Sequence, residues 1–172
     1  MNTIDSYPTR TYKGIKLREG KTLPFGASIV PGGVNFSVFS RNAKSCELVL
    51  FLKGEDSPFA YIPFPNEFRV GSVYSMIVFD LDYERIEYGY RVDGVYNVEK
   101  GHRFNKSNVL LDPYAKSISG RNVWGSPLNP DSKFIYRGRI ISDDFNWEGD
   151  RQLEIPMEDL VIYETHVRSF TR

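Results

Sequence analysis

Short apolar stretches recur about every 10 to 15 residues along this chain, with turn residues between them and no amphipathic helical period. They lie at residues 34–40, 47–52, 59–64, 73–79 and 88–94. In the first stretch Val34, Phe36 and Val38 alternate with polar residues, which predicts a strand with one face in a core. Repeated short strands without helices predict an all-β fold, an antiparallel β-sandwich over residues 21–120.

Three of these stretches carry more specific signals. Residues 47–52 are apolar on both faces, which predicts a strand that is covered on both sides. Residues 59–64 contain Pro63, and proline removes a ladder hydrogen bond, so this strand is predicted at a sheet edge. Asp93-Gly94, at the end of the last stretch, predicts a hairpin turn.

The segments on either side of the sandwich have a different character. Residues 1–20 are polar and mixed, and we interpret them as a lead-in. Residues 121–158 are rich in glycine and proline, and we interpret them as an irregular connector. The connector carries the aromatic residues Trp124, Phe134, Tyr136, Phe145 and Trp147. A flexible linker has few such residues, so we expect the connector to pack against a surface.

Residues 159–172 resemble the start of a further structural layer. The apolar run Leu160, Val161 and Ile162 follows Pro156 and is typical of a strand buried on both faces of a parallel sheet. A parallel strand needs a crossover and a neighbour. We therefore expect this segment to be the first strand of a truncated sheet, and the chain to be the front of a longer protein.

Charge and composition argue against several classes of protein. Lysine plus arginine and aspartate plus glutamate number 22 each, and this balance argues against nucleic acid as a partner. No apolar run approaches a membrane span, so no membrane partner is expected. Cys46 is the only cysteine, so no internal disulfide can form, and with no visible signal peptide a cytoplasmic location is expected.

The residues contain no self-sufficient catalytic constellation. Paired carboxylates at 143–144, 148–150 and 158–159 lie among turn residues, where solvated loop charge is their usual role. His102 and His166 lack metal-ligand spacing, so neither a metal nor a cofactor is expected. His166 follows the apolar run, at the end of a strand where barrel enzymes keep active sites, and is the one titratable residue of interest.

Six segments taken together resemble one family. They are residues 25–40 with Pro31-Gly32-Gly33, residues 88–94, residues 101–105, residues 110–116, residues 145–151 and residues 161–171. In this order they are similar to the opening of glycogen-debranching enzymes, isoamylases and pullulanases, in the α-amylase superfamily (glycoside hydrolase family 13).

The resemblance implies an architecture and an activity for a longer parent protein. Residues 21–120 would be an immunoglobulin-like, carbohydrate-binding β-sandwich, residues 121–158 a connector, and residues 159–172 the first strand of a (β/α)8 barrel. The family's barrel hydrolyses α-1,6 branch linkages with retention, which uses two carboxyl groups about 5 to 5.5 Å apart. Those carboxyl groups come from later loops, so no catalytic residue is assigned here, Glu164 included, and this chain alone should be inactive.

Glucan binding carries over from the family at one position. Related modules stack aromatic rings on the apolar face of the sugar, and Tyr96 stands where one such ring follows the Asp-Gly pair. A second ring is expected in the loop at residues 53–57, which holds no aromatic residue. The lysine that often bonds sugar hydroxyls is replaced by Gly89.

Three functions remain open from the sequence. The first is the front of a debranching enzyme, with α-glucan (glycogen, starch or maltooligosaccharide) as partner and the catalytic barrel following in the same chain. The second is a stand-alone α-glucan-binding module without activity. The third is a protein-interaction sandwich that uses an exposed strand to complete a partner's sheet. Apolar residues at 160–162 favour the first, because a stand-alone module would gain nothing from an exposed apolar strand.

Overall fold

A computed structural model of the chain describes residues 7–120, 136–142 and 144–170. The chain divides into two compact units, Met1–Ser142 and Asp143–Arg172. Trp124, Phe134 and Asp143, which the sequence analysis singled out, lie outside the described residues.

The first unit is built from short strands. They are β1 (Arg10–Tyr12), β2 (Ile15–Glu19), β3 (Gly26–Val30), β4 (Gly33–Phe39), β5 (Ala43–Leu52), β6 (Pro58–Pro63), β7 (Arg69–Val70), β8 (Val73–Phe79), β9 (Ile86–Gly94), β10 (Ser117–Ser119) and β11 (Arg137–Arg139). Single 3-10 turns lie at Asn66–Phe68 and Tyr83–Arg85. In the described part of the chain, no helix is both long and apolar enough to cross a membrane.

Two antiparallel sheets pack face to face. Within the described residues, sheet A has the order β1-β2-β8-β4-β3 with the short β7 also on β8, and sheet B has the order β10-β11-β9-β5-β6. The core between them holds the inward residues of both sheets, and the rings of Phe36 on β4 and Tyr88 on β9 meet at 5.2 Å. The prediction of an all-β antiparallel sandwich is confirmed, and the proline-flanked β6 lies at an edge as expected.

The outer side of sheet A is covered as well, which the alternation in β4 did not indicate. Asn35 and Ser37 alternate with the core residues of β4, yet both are buried. The Asn35 side chain exchanges hydrogen bonds with the backbone N–H and C=O of Lys21 at 2.8 and 3.0 Å. The Ser37 hydroxyl donates to the carbonyl of Thr22 at 2.7 Å. These polar residues hold the preceding segment across the sheet and satisfy its backbone groups.

Strands also extend beyond the range predicted for the sandwich. In the predicted lead-in, β1 and β2 form a hairpin whose two turn residues, Lys13 and Gly14, both have positive φ (49° and 84°). That geometry is the type favoured in two-residue hairpins. Leu17 on β2 is 1% exposed and belongs to the core, so this hairpin is part of the sandwich.

At the other end of the unit, β11 lies within the segment predicted as connector. It pairs with β9 and β10, and Arg137 on it is buried. A buried arginine does not contribute to a hydrophobic pattern, so the hydrophobic periodicity of the sequence does not predict this strand.

The second unit contains no β-strand among residues 144–170. Its only regular element there is a 3-10 turn at Met157–Asp159. Val161, Ile162 and Val167 are 94%, 79% and 90% exposed. The buried barrel strand expected from this apolar run is therefore not formed in the chain as it stands.

A buried carboxylate fixes the segment that follows β9. Asp112 is 1% exposed and accepts hydrogen bonds from the Tyr88 hydroxyl at 2.7 Å, the Tyr90 hydroxyl at 3.5 Å and the Tyr114 N–H at 2.8 Å. Leu110 exchanges both backbone hydrogen bonds with Tyr90. The chain from 110 to 114 is thereby fastened along β9.

Burial also shifts the ionisation of these groups. It raises the pKa of the Tyr88 and Tyr90 phenols, and the negative charge of Asp112 raises both further. Burial raises the pKa of Asp112 itself, although its hydrogen bonds from Tyr114, Tyr88 and Tyr90 act in the opposite direction.

We expect the sandwich to lose stability in alkali. Above pH of about 10 the unfolded chain releases tyrosine protons that the fold retains at Tyr88 and Tyr90, so the free energy of unfolding falls as the pH rises. Each retained proton contributes about 1.4 kcal/mol per pH unit. Urea titrations between pH 8 and 12 measure this slope, and Tyr88→Phe should make it shallower by about one proton. Equal slopes in the two proteins would contradict the assignment.

Candidate functional site

Tyr96 lies on a hydrogen-bonded turn beyond the end of β9. Its side chain is 65% exposed, and Val95 and Val98 beside it are 53% and 50% exposed. Asn97 and His102 exchange two backbone hydrogen bonds of 2.8 Å, and the Asn97 side chain accepts from the N–H of Lys100 at 2.9 Å. We call residues 95–102 the Tyr96 turn. It holds an exposed aromatic ring on a closed backbone.

The chain reverses direction within this turn, later than predicted. Asp93 and Gly94 pair with β5 as strand residues and make no hairpin, so that prediction is wrong. A Cβ on Gly94 would lie 2.6 Å from the Phe104 ring. Glycine is needed here because the returning chain packs Phe104 directly on the strand, and not because of a turn.

Polar contacts fasten the returning chain to the outer side of sheet B. The Arg91 guanidinium donates from Nε to the carbonyl of Lys106 at 2.7 Å. Arg91 Nε and Lys106 Nζ lie 3.7 and 3.4 Å from the carboxylate oxygens of Glu47. The Tyr96 turn thus rises from a stretch tied to two strands, which limits the entropy that a ligand would have to remove.

Gly89 has a packing role that explains the missing lysine. A Cβ at Gly89 would lie 2.5 Å from Cγ1 of Val109 and 2.9 Å from the carbonyl oxygen of Leu110. The Val109 side chain and the Leu110 carbonyl, from the segment that pairs beside β9, therefore occupy the space where a side chain at residue 89 would stand. No lysine can reach a sugar from this position without moving that segment.

The loop at residues 53–57 is held in place by the buried Arg137, which also forms an ion pair with Glu87. Arg137 donates to the carbonyls of Glu55 at 2.6 Å and Asp56 at 3.4 Å, and its guanidinium lies 3.3 Å from the carboxylate of Glu87. The same guanidinium stacks 3.9 Å over the ring of Phe51. The loop is thus ordered but carries no aromatic platform, as the sequence indicates.

Two exposed aromatic residues on β6 were not singled out from the sequence. Phe59 and Tyr61 are 50% and 37% exposed, and the guanidinium of Arg91 lies 4.9 Å from the Tyr61 ring centre. Their spacing of two residues on a predicted edge strand indicates that both rings lie on the same face of the sheet, and this could have identified them from the sequence.

A pocket of about 450 Å³ lies beside the returning chain, which forms part of its lining. Its lining includes the buried Tyr90 and Val92, loop residues before β5, the last two residues of the Tyr96 turn and residues of the returning chain. The side chains of Asn42 and His102 meet across these loops at 3.0 Å. His102 is therefore a loop-to-loop contact at the pocket.

The other histidine lies in the second unit and is exposed. The Nδ1 atom of His166 accepts a hydrogen bond from the Arg168 N–H at 3.2 Å. Among the described residues of that unit, no cluster of side chains around His166 forms a binding or catalytic site. Across the described part of the chain, no three His, Cys, Asp or Glu side chains are grouped so as to hold a metal ion.

Comparison with known proteins gives a consistent picture. The family model for carbohydrate-binding module 48 (isoamylase N-terminal domain) matches residues 24–115. Isoamylase 1, chloroplastic, from Arabidopsis thaliana is 38% identical over 164 residues, which is 91% of this chain and 21% of that protein. The glycogen debranching enzyme of Yersinia enterocolitica is 34% identical over 166 residues, which is 91% of this chain and 24% of that protein.

Solved structures agree on the fold. The apo pullulanase of Paenibacillus barengoltzii matches with a TM-score of 0.52 at 20% identity, over 77% of this chain and 17% of that one. The chain therefore spans between a fifth and a quarter of the length of the curated relatives just described.

We expect Gly89→Ala to destabilise the sandwich by about 1 to 3 kcal/mol, because the new methyl group would force Val109 and Leu110 outward. Chemical denaturation measures the loss. The matched control is Gly71→Asn, since Gly71 has φ of 60°, which asparagine tolerates, and open space around its Cβ position. A Gly89 variant as stable as the control would show that the segment above β9 yields freely.

Proposed function

The chain belongs to the carbohydrate-binding module 48 family, the isoamylase N-terminal domain, and we propose that it binds α-glucan through the Tyr96 turn. The observation that carries the proposal is the ordered display of Tyr96, an aromatic ring 65% exposed on a turn closed by paired backbone hydrogen bonds. An exposed ring offers its face to the apolar face of a glucose unit, and its hydroxyl can bond sugar hydroxyls.

The expected contact area is small. Gly89 and the loop at 53–57 supply neither the lysine nor the second ring that related modules use, and Gly89 cannot be replaced without a clash. Weak binding by one ring suits a module that assists a neighbouring active site by holding the polymer close to it.

We further propose that the parent protein is a debranching glycoside hydrolase acting on α-1,6 linkages of glycogen or starch. The support comes from relatives named as isoamylases and glycogen debranching enzymes, which are four to five times as long as the matched segment. The catalytic carboxylates would come from the part of the parent that this chain does not span, so the chain by itself shapes or assists substrate binding without hydrolysis.

Residues 159–172 fit this proposal as the first strand of the parent's barrel, after a connector at 121–158. Val161, Ile162 and Val167 are almost fully exposed. With Thr165, residues 161–167 hold four β-branched residues, which favour a strand, and exposure in this chain is the expected result when neighbouring strands are missing.

Replacement of the proposed platform should weaken glucan binding. We expect Tyr96→Ala to lower the affinity for amylopectin or glycogen about tenfold, or about 1.4 kcal/mol, and Tyr96→Trp to raise it, because stacking scales with ring area. Affinity electrophoresis in glucan-containing gels measures both. Tyr7→Ala is the matched control, since Tyr7 is a similarly exposed tyrosine (69%) outside the turn. Wild-type migration that glucan does not retard would reject glucan binding, and retardation lost equally in both alanine variants would reject Tyr96 as the platform.

The barrel proposal has its own measurement. In the 172-residue chain the amides of residues 161–167 should exchange with deuterium at nearly the rates of an unstructured peptide. In the longer parent protein they should be among the most protected, since a central barrel strand opens only on global unfolding. Strong protection in the short chain, or none in the parent, would contradict the assignment.

A further inference from the structure

The pocket lined by the returning chain has an unusual balance of charge. Arg41 and Arg103 lie on its lining, together with His102. No aspartate or glutamate is present among its described lining residues, although the whole chain has equal numbers of acidic and basic residues. The pocket therefore presents positive charge to any ligand that enters it.

Both arginines are available to a ligand. Within residues 7–120, 136–142 and 144–170, neither guanidinium makes an ion pair or a side-chain hydrogen bond, whereas Arg91, Arg137 and Arg139 are all paired with carboxylates. A guanidinium carries five N–H donors in a planar fork, which matches two oxygens of a phosphate group. Two such forks at one pocket favour a dianionic group over a neutral one.

The remaining lining suits a sugar ring. Phe39 is 45% exposed, and Phe104 is partly buried beside His102, with ring centres 6.0 Å apart. Asn42 and Asn108 add planar amide groups that can donate to and accept from neighbouring hydroxyls. The volume, about 450 Å³, lies in the usual range for small-molecule sites.

We propose that this pocket binds a sugar phosphate ester, with the phosphate held by Arg41 and Arg103 and the sugar ring against Phe39 and Phe104. The ester could belong to a free hexose phosphate or to a phosphorylated glucose unit of a glucan, which present the same chemistry. The pocket adjoins the Tyr96 turn through Gly101 and His102, but Tyr96 itself, the proposed glucan platform, is not part of the lining. The proposal of a sugar phosphate site therefore does not depend on glucan binding by Tyr96.

Titration calorimetry with glucose 6-phosphate, glucose and inorganic phosphate tests the proposal on the full chain. We expect glucose 6-phosphate to bind at least about tenfold more tightly than either glucose or inorganic phosphate, because only the ester engages both halves of the pocket. Arg41→Gln and Arg103→Gln should each weaken binding of the ester about tenfold. Equal binding of glucose and glucose 6-phosphate would overturn the role of the arginines, and equal binding of inorganic phosphate would overturn the sugar subsite.

Two controls keep these outcomes separable. Arg85→Gln removes another exposed arginine that is unpaired among the described residues and lies outside the pocket, so it should leave binding unchanged. Tyr96→Ala should likewise leave the ester affinity unchanged while it weakens glucan retention. A loss of ester binding in the Arg85 variant equal to that in the pocket variants would reduce the effect to general surface charge and overturn the proposal.

The source of the ester is then distinguished by comparing a naturally phosphorylated starch with the same starch after phosphatase treatment. Retention that depends on the phosphate and on Arg41 and Arg103 assigns the pocket to the polymer. Binding of glucose 6-phosphate without such retention assigns it to the free hexose phosphate. The absence of binding to both the ester and the phosphorylated starch would overturn the proposal.

Discussion

The burial of Asp112 is the constraint on which the functional half of this sandwich depends. Its carboxylate lies under the hydroxyls of Tyr88 and Tyr90, two inward residues of β9, and its second oxygen caps the N–H of Tyr114. An unpaired buried carboxylate would be costly, so the hydrogen bonds and the chain path are required together. Because residue 112 is held against β9, the excursion from 95 to 110 must return across the same strand. That return forms the base of the Tyr96 turn and part of the lining of the pocket.

A second buried polar group lies next to Tyr88 on β9 and joins this strand to β11. Glu87 lies 3.3 Å from Arg137 and 3.5 Å from Arg139, and Glu87 and Arg137 are both nearly inaccessible to solvent. Desolvation of such a pair offsets much of its attraction, so its net contribution to stability is small, although removal of one partner would be expensive. The main effect of the pair is to fix the positions of the segments that it joins. It joins β11 to β9 and orders the loop at 53–57, which has no apolar residues of its own to hold it.

Whether an element could be predicted from the sequence depends on which interaction holds it, apolar burial or a specific polar contact. Strands β5, β6 and β8 bury apolar side chains, and their periodicity predicted them closely. Burial in β11 depends on Arg137 meeting Glu87, fifty positions earlier, and no local pattern contains that information. The reversal beyond β9 was misplaced because Gly94 meets a packing need, through Phe104, that resembles a turn signal when read locally. Tyr96 could be proposed from a family resemblance, whereas the pocket arises from loops brought together only by the fold.

The edge strand β6 has a consequence for how copies of this module behave at close quarters. It begins and ends with proline, Pro58 and Pro63, neither of which has an N–H to offer a neighbouring chain. Edge strands with free backbone groups pair readily with one another when molecules are concentrated. Under the proposed function, copies of this module that bind one branched glucan lie within a few molecular diameters of each other. Because both ends of the edge strand are prolines, few backbone N–H groups are free to pair with a second copy. Crowding on such a surface therefore does not favour self-association through β6.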